Sequence, residues 1–392
     1  MSHLMNTYSR QPITFTHGKG VWLWDKDGNK YLDALAGVAV NGLGHAHPKL
    51  VKAISKQAAK LIHVSNIYHI AEQEALADKL AEISGMDKVF FCNSGCEANE
   101  AAIKLARLYG HNKGVENPEI IVMERSFHGR TMATLSATGN RKTQAGFEPL
   151  VSGFIRVPYD DLEAIRQIAS RKNNVVAILV EPVQGEGGVH IPTDMKIYLQ
   201  GLRKVCDDNA WLLMLDEVQS GIGRTGTWFA FQHTSIVPDV MSLAKGLGSG
   251  VPIGACVAKG VAATTFTLGK HGSTFGGNPL AATAGLITLK TIEEEELREN
   301  ALKMGDVIRQ GLQNELANTK GLVVVRNAGL MIGIELDRPC ADLVKMAFAD
   351  KLLINVTAEK VVRLLPPLVI NVAEVNDLIR RLSGVIKAFL GN

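Results

Sequence analysis

Short apolar runs alternate with amphipathic stretches through the middle of the chain, from about residue 50 to residue 280. Helical periodicity separates most of these runs, for example over residues 194–207. Strands that alternate with helices predict a mostly parallel sheet covered by helices on both faces, which is an α/β fold. The predicted strands span residues 88–91, 119–123, 175–180, 211–215, 240–243 and 253–258.

The two ends of the chain have different patterns. Near the start, apolar segments at residues 20–24 and 30–33 flank the turn Asp-Lys-Asp-Gly, which predicts a β-hairpin. After residue 280, a long helical stretch leads into apolar runs at 322–326 and 331–336, and a last helix is predicted over 375–390. We therefore expect an N-terminal segment over 1–50, a large domain over 51–280 and a C-terminal α+β domain over 281–392.

Length, composition and charge narrow the function classes. With 392 residues, 46% of them hydrophobic, the chain is long enough for a large core and a smaller second domain. Its net charge of +3 is too even to indicate nucleic acid or an anionic membrane as a partner. No apolar run reaches the roughly 18 residues of a membrane span, and the start has no secretory signal. The five cysteines form no disulfide pattern, so we expect a reduced, cytoplasmic protein.

Charged residues follow three of the predicted strands. Glu181, Asp216 and Lys245 each come at or just past the end of an apolar run. Ligands of open α/β sheets bind at the carboxyl ends of the strands. A lysine that forms an imine with an aldehyde, and a carboxylate that keeps a pyridine nitrogen protonated, are what pyridoxal phosphate needs. Glu217, beside Asp216, should point the other way and be structural. In isolation, Lys245 would be interpreted as a surface lysine in a Gly-rich loop.

A second motif follows the predicted strand at 88–91. Residues 93–100 read Asn-Ser-Gly-Cys-Glu-Ala-Asn-Glu, and apolar residues then recur at helical spacing. Ser94 and Glu97 predict a capping box, and Gly95 allows a close approach to the backbone. The first N–H groups of such a helix suit a phosphate. An ordinary capped helix is the alternative, so the motif gains its meaning only beside Lys245.

Together these segments resemble the class III (subgroup II) pyridoxal-phosphate aminotransferases of fold type I. The resemblance implies a mostly parallel mixed sheet with helices on both faces, plus a smaller α+β domain built from the N- and C-terminal segments. Within the family, the chain length and residues 181–189 are most similar to the acetylornithine aminotransferases. The matching motifs stand in family order at residues 44–48, 93–98, 126–130, 181–186, 215–219, 245 and 272–279.

The resemblance also implies roles for individual residues toward the cofactor. Lys245 would hold it covalently and, once released, shuttle a proton between Cα of the substrate and C4′ of the cofactor. Asp216 would pair with the pyridine nitrogen. Ser273 and Thr274 would reach the phosphate of the neighbouring subunit, so the active unit would be a homodimer. The other contacts would be Val218 beneath the ring, Phe127 stacked on its other face, Gln219 at the ring oxygen, and Ser94, Gly95 and Cys96 at the phosphate. Cys96 departs from the family, which often has Thr or another small residue there.

Substrate recognition is expected to depend on arginines, which bind carboxylates through paired hydrogen bonds. Arg363 resembles the arginine that holds the α-carboxylate of glutamate or 2-oxoglutarate. Arg130 resembles the one that takes the distal carboxylate of that substrate, or the α-carboxylate of an ornithine-type donor. Glu186 resembles the acid that pairs with the first arginine when the donor has no carboxylate there. Tyr8 falls where ornithine aminotransferases carry a tyrosine near the donor's α-amino group. Val38 replaces a second tyrosine of those enzymes and leaves room for an N-acyl group.

The sequence therefore predicts transamination between N2-acetyl-L-ornithine and 2-oxoglutarate, which yields N-acetyl-L-glutamate 5-semialdehyde and L-glutamate in arginine biosynthesis. Succinyl-diaminopimelate, succinylornithine, ornithine and 4-aminobutyrate stay open as alternative donors. A semialdehyde aminomutase is disfavoured by Arg363, because that chemistry needs no glutamate partner. A regulatory cofactor-binding domain is disfavoured because no basic cluster remains to bind DNA. No metal is expected, since His45 and His47 have no accompanying ligand cluster and predict only a turn before a helix at Pro48.

Overall fold

The computed structural model describes residues 3–391. Its strands are β1 (Phe15–Lys19), β2 (Trp22–Asp25), β3 (Lys30–Asp33), β4 (Lys88–Cys92), β5 (Glu119–Met123), β6 (Phe154–Val157), β7 (Val175–Val180), β8 (Leu212–Asp216), β9 (Val240–Leu243), β10 (Gly254–Ala258), β11 (Leu322–Ala328), β12 (Met331–Leu336), β13 (Leu352–Leu353), β14 (Asn355–Thr357) and β15 (Val361–Leu364). Its helices are α1 (Ala36–Ala39), α2 (Pro48–Lys60), α3 (Ala71–Ser84), α4 (Gly95–Asn112), α5 (Met132–Ala137), α6 (Arg141–Gln144), α7 (Leu162–Ala169), α8 (Met195–Asn209), α9 (Val261–Thr265), α10 (Pro279–Glu294), α11 (Leu297–Glu315), α12 (Leu343–Ala349) and α13 (Val372–Leu390), with short 3₁₀ helices at Ala230–His233 and Lys245–Leu247.

A central sheet has the strand order β4-β10-β9-β8-β7-β5-β6. Its strands run parallel except β10, which is antiparallel to both of its neighbours. All six residues of β7 are buried, as expected where helices cover both faces of a parallel sheet. The predicted α/β architecture with a mostly parallel mixed sheet is therefore confirmed. The six strands predicted between residues 88 and 258 all belong to this sheet. β6 was missed because it is short and contains the exposed Arg156.

The predicted N-terminal hairpin is also confirmed. β2 and β3 pair antiparallel, with Trp22 opposite Leu32 and Trp24 opposite Lys30. Asp25 shapes the turn, because its Oδ1 accepts the N–H groups of Asp27 (2.9 Å) and Asn29 (2.8 Å). The same sheet has the order β1-β2-β3-β13, so a strand from the C-terminal part of the chain completes it.

A third sheet, of order β11-β12-β15-β14, carries the C-terminal arginine of the predicted site. β11, β12 and α13 match the predicted elements, whereas β13, β14 and β15 were not predicted. Arg363 lies in β15 and is only 1% exposed. A charged residue in a strand is usually solvated, whereas Arg363 is not. Its side chain is buried between this sheet and the loops that carry Glu186 and Gln219, to which it donates hydrogen bonds.

One cluster of buried apolar side chains extends from the central sheet into the C-terminal part of the chain. It includes Ile178 and Leu213 of the central sheet together with Ile334 and Leu382 of the C-terminal region. This continuity fixes β15 relative to the carboxyl ends of β7 and β8. Over residues 3–391, the helices are all too short or too polar to cross a lipid bilayer.

Candidate active site

A cavity of ≈ 350 Å³ opens at the carboxyl ends of β5, β7, β8 and β9. Parallel strands end at the same edge of a sheet, so residues that are far apart in sequence meet there. The cavity contains most of the residues that the sequence predicts for the cofactor. These are Ser94, Gly95, Cys96, Phe127, Asp216, Val218, Gln219 and Lys245, and the predicted substrate residue Glu186 lies with them.

Asp216 is the last residue of β8 and is 4% exposed. Its Oδ2 accepts hydrogen bonds from Asn99 Nδ2 (2.7 Å) and from the Nδ1 side of the His128 ring (2.8 Å). Its Oδ1 accepts the Val218 N–H at 3.0 Å. These bonds fix the carboxylate in one orientation. Asn99 and His128 were not predicted as site residues, although each lies inside one of the motifs at residues 93–100 and 126–130.

Lys245 begins the short 3₁₀ helix that follows β9, in a left-handed conformation with φ of 43°. No described residue accepts a hydrogen bond from its amine. Burial lowers the pKa of Lys245, and the nearby charge of Arg363 lowers it further against the opposing charges of Glu186 and Asp216. The amine therefore loses its proton at a lower pH than an exposed lysine would, which favours attack on an aldehyde.

The turn between β4 and α4 offers an anion site. Ser94 caps the helix, because its hydroxyl accepts the Glu97 N–H at 3.2 Å. The predicted capping box is wrong in its second half, since the Glu97 carboxylate accepts the N–H of Asn93 at 2.6 Å rather than that of Ser94. The N–H groups of Gly95 and Cys96 donate to no described residue, so they are available to a phosphate.

Val218 packs against the first turn of α4. A Cβ added at Gly95 would lie 2.8 Å from Val218 Cγ1. Glycine is therefore required for this close approach between the helix N-terminus and the cavity. The approach brings the candidate phosphate donors and the candidate ring-packing side chain to one face of the cavity.

Arg363 and Glu186 form an ion pair beside the cavity. Arg363 Nη1 lies 2.8 Å from Glu186 Oε1 and 3.3 Å from Gln219 Oε1, and Nε donates to Asn355 Oδ1 at 3.2 Å. Burial alone would raise the pKa of Glu186, but the charge and hydrogen bond of Arg363 lower it below its usual range. Glu186 is therefore an anion that neutralises the buried guanidinium of Arg363.

A second cavity of ≈ 750 Å³ adjoins the first and shares Phe127 and Glu186 with it. It is lined by Arg125, Arg130 and Arg141, which have no ion-pair partner among the described residues. Two further cations in its wall are paired, Lys142 with Glu359 and Arg326 with Glu335. This outer cavity has unpaired positive charge and suits carboxylate-bearing substrates.

The remaining predicted residues lie outside both cavities. Tyr8 is 70% exposed and lies beneath the Arg10 guanidinium. Ser273 accepts a hydrogen bond from Asn93 Nδ2 at 3.3 Å, and Thr274 is exposed. Val38 packs against a small apolar cluster, whereas Val40, which the sequence analysis missed, lines the inner cavity.

Comparison with known proteins gives one family across the chain. A family model for class-III aminotransferases matches residues 4–386. The acetylornithine aminotransferase of Nitrosomonas europaea is 61% identical, with 100% of this chain and 99% of the relative covered. Acetylornithine aminotransferase 1 of Bordetella pertussis is 57% identical, with 99% and 98% covered.

Solved structures of related enzymes share the fold. The N-acetylornithine aminotransferase from Stenotrophomonas maltophilia superposes with a TM-score of 0.86 at 34% identity, covering 98% of each chain. The ornithine aminotransferase from Toxoplasma gondii gives a TM-score of 0.95 at 33% identity, covering 99% of this chain and 93% of that one. The chain therefore belongs to the class-III aminotransferases, which are enzymes that transfer amino groups with pyridoxal phosphate as cofactor.

Proposed function

We propose that this enzyme transfers the terminal amino group of N2-acetyl-L-ornithine to 2-oxoglutarate, which yields N-acetyl-L-glutamate 5-semialdehyde and L-glutamate in arginine biosynthesis. Two relatives named acetylornithine aminotransferase align with 99–100% of the chain at 57–61% identity. The observation that carries the proposal is the ion pair between the buried Arg363 and the partly exposed Glu186. The ion pair stays formed when the donor has no carboxylate at that position, and it opens when glutamate binds.

The residues of the inner cavity suit pyridoxal phosphate. When bound, that cofactor supplies an aldehyde that joins an amino group and a ring that withdraws electrons from the neighbouring carbon. The free N–H groups of Gly95 and Cys96, with the Ser94 turn, would hold its phosphate. Asp216, oriented by its hydrogen bonds with Asn99 and His128, would hold a proton on the ring nitrogen. Gln219 would donate to the ring oxygen.

Lys245 is the proposed base and acid. Its amine lies in the same cavity as Asp216, and burial lowers its pKa, so it would join the cofactor and then move a proton at the reacting carbon. Phe127 and Val218 would cover the two faces of the ring and exclude water from the cavity. Proton transfer by a positioned side chain accounts for roughly 10²- to 10⁴-fold of rate.

The outer cavity is proposed to hold the acylated end of the donor. Arg130, unpaired in its wall, would bind the α-carboxylate of acetylornithine or the distal carboxylate of 2-oxoglutarate. The proposed donor leaves Arg363 paired to Glu186, whereas 2-oxoglutarate displaces Glu186 with its own α-carboxylate. Tyr8 is 70% exposed and is not among the residues that line the outer cavity, so it offers no contact there to the free α-amine of ornithine.

The donor half-reaction tests this proposal. Cofactor-loaded protein would be mixed with one donor at a time, without keto acid, and the cofactor absorbance followed. We expect acetylornithine to convert the cofactor faster than ornithine, succinyl-diaminopimelate, succinylornithine or 4-aminobutyrate. Faster conversion by another donor would replace the substrate and keep the transaminase. Reduction with borohydride followed by peptide mapping should label Lys245.

We propose that the active unit is a homodimer. The segments 61–68 and 273–276 lie against each other, since Asn66 Nδ2 donates to Ser273 O and Gly276 O. They share an exposed apolar surface formed by Ile62 (55% exposed), Ile67 (80%), Tyr68 (65%) and Phe275 (59%). A second copy would cover this surface and receive Ser273 and Thr274 at its phosphate.

Mixed dimers test the shared site. A Lys245→Ala subunit would be unfolded and refolded together with a Thr274→Ala subunit. If Thr274 acts on the neighbour's cofactor, the mixed dimer contains one intact site and activity rises above the sum of the parents. If it acts within its own subunit, mixing restores nothing. Sedimentation of the wild-type protein should give a dimer mass.

We also propose that residues 1–50 and 281–392 form one smaller domain around the large domain 51–280. The parallel pairing of β13 with β3 supports this grouping. A cytoplasmic location is proposed as well. All five cysteines are unpaired, which suits a reducing compartment.

A further inference from the structure

Glu181, at the carboxyl end of β7, lines the inner cavity but has no part in the proposed chemistry. It is 5% exposed, and its two carboxylate oxygens accept hydrogen bonds from two different loops. Oε1 accepts the N–H of Phe127 at 2.8 Å, and Oε2 accepts the N–H of Gly185 at 3.2 Å. One side chain therefore joins the loop after β5 to the loop after β7.

Each of these loops carries a residue of the proposed site. Phe127 itself is the side chain proposed to stack on the cofactor ring. Gly185 directly precedes Glu186, the acid that pairs with Arg363. A Cβ at Gly185 would lie 2.3 Å from Gln219 Oε1, so its backbone also lies against the other anchor of that arginine. Movement of Gly185 would shift both Glu186 and Gln219.

We propose that Glu181 is a positioning residue that holds the ring-stacking loop and the substrate-switching loop at a fixed distance, so that cofactor stacking and donor choice are coupled through one carboxylate. This inference rests on the function proposed above. Glu181 does not touch the substrate in this scheme. It acts through the backbone of Phe127 and Gly185.

The surroundings of Glu181 explain why a carboxylate suits this position. Burial raises the pKa of Glu181 to about 7, the His128 ring lowers it, the charge of Asp216 raises it, and the two N–H donors lower it. The Tyr159 hydroxyl lies 3.2 Å from the Glu181 carbonyl oxygen and 2.8 Å from that of Pro182, and its hydrogen bonds fix the backbone there. At about pH 8 the group is an anion, and an anion accepts two N–H bonds better than a neutral side chain does.

The variant Glu181→Gln tests the coupling. The amide keeps the size of the side chain but has one acceptor oxygen, and its NH₂ faces the second N–H donor. Hydrogen exchange by mass spectrometry of cofactor-saturated protein at about pH 8 would follow the peptides that contain Phe127 and Gly185. We expect exchange of at least one of these amides to rise about tenfold or more, the effect of losing one charge-assisted hydrogen bond. We also expect the ratio of kcat/KM for acetylornithine and glutamate to change by about threefold or more.

Glu217→Gln is the matched control. Glu217 is also a buried carboxylate, and it accepts the Phe231 N–H at 3.0 Å and the Ser220 hydroxyl, away from the cavity. It should leave the Phe127 and Gly185 amides and the donor ratio unchanged. Unchanged exchange in Glu181→Gln, or equal changes in both variants, would overturn the proposal.

A second variant and a readout that does not depend on the substrate keep the test decisive. If Glu181→Gln does not fold, Glu181→Asp keeps the charge and shortens the reach by one methylene, and it should show the same changes in smaller degree. If the wild type does not use acetylornithine, the proposed substrate fails while the exchange result still decides the role of Glu181. Normal protection in Glu181→Asp together with an unchanged donor ratio would refute the coupling.

Discussion

Replacing Glu186 by alanine should shift this enzyme from the acylated donor toward glutamate. With a donor that has no carboxylate near Arg363, the variant leaves a cation that is 1% exposed with only the neutral partners Gln219 and Asn355. With glutamate, the substrate carboxylate takes the vacant position. The cost of opening the Arg363–Glu186 pair then disappears from the glutamate reaction.

The magnitude follows from burial. Breaking a fully buried pair by removing one partner costs about 3–5 kcal/mol. The Glu186 side chain is 37% exposed, so solvent screens part of its interaction with Arg363. We therefore expect a loss of about 1–2 kcal/mol for acetylornithine, which is roughly 5- to 30-fold in kcat/KM. The glutamate value should stay the same or rise, so the ratio of the two moves at least about fivefold.

The assay is single-turnover conversion of the cofactor by each donor, measured by stopped-flow absorbance. Glu335→Ala is the control, because Glu335 pairs with Arg326 at 2.6 Å in the wall of the outer cavity and has no role in the switch. A donor ratio in Glu186→Ala equal to that of the wild type would refute the switching role. An equal shift in Glu335→Ala would show that any charge change in the cleft has the same effect.

Three further changes should have distinct effects. Lys245→Ala should lower turnover by about 10²-fold or more, while cofactor absorbance after gel filtration shows that binding without a covalent bond persists. Gly95→Ala should weaken cofactor affinity about tenfold in a fluorescence titration, because the new Cβ would lie 2.8 Å from Val218 Cγ1. Burial raises the pKa of Glu217 from 4.5 to about 7, so the folded state retains a proton that the unfolded state has released. The stabilisation is complete below about pH 4.5 and is lost as the pH rises through 7. The free energy of unfolding in urea of the wild type, minus that of Glu217→Gln, should therefore fall by up to about 3 kcal/mol between about pH 5 and 8. A difference that does not change with pH would contradict the burial argument.

Local patterns were enough to predict six of the seven strands of the central sheet. β5, β7 and β9 have the predicted bounds, because a buried parallel strand is a short apolar run with polar residues at its ends. The hairpin of β2 and β3 was also predictable, since its turn depends on Asp25 and its own neighbours. Elements whose stability comes from distant partners were not predictable. β13 is two residues long and exists because it pairs with β3, more than three hundred residues earlier.

The sequence by itself determined the family, the cofactor chemistry and the residues that follow the strands, because each of these depends on residue types at fixed local spacing. Tertiary structure alone decided how the site residues are supported. The bonds from Asn99 and His128 to Asp216, the pairing of Arg363 with Glu186 and the bond from the Phe127 N–H to Glu181 join residues that are 54 to 177 positions apart. Such contacts leave no periodic signal in the chain, since they form only where the packing of the sheet brings the carboxyl ends of separate strands to one edge.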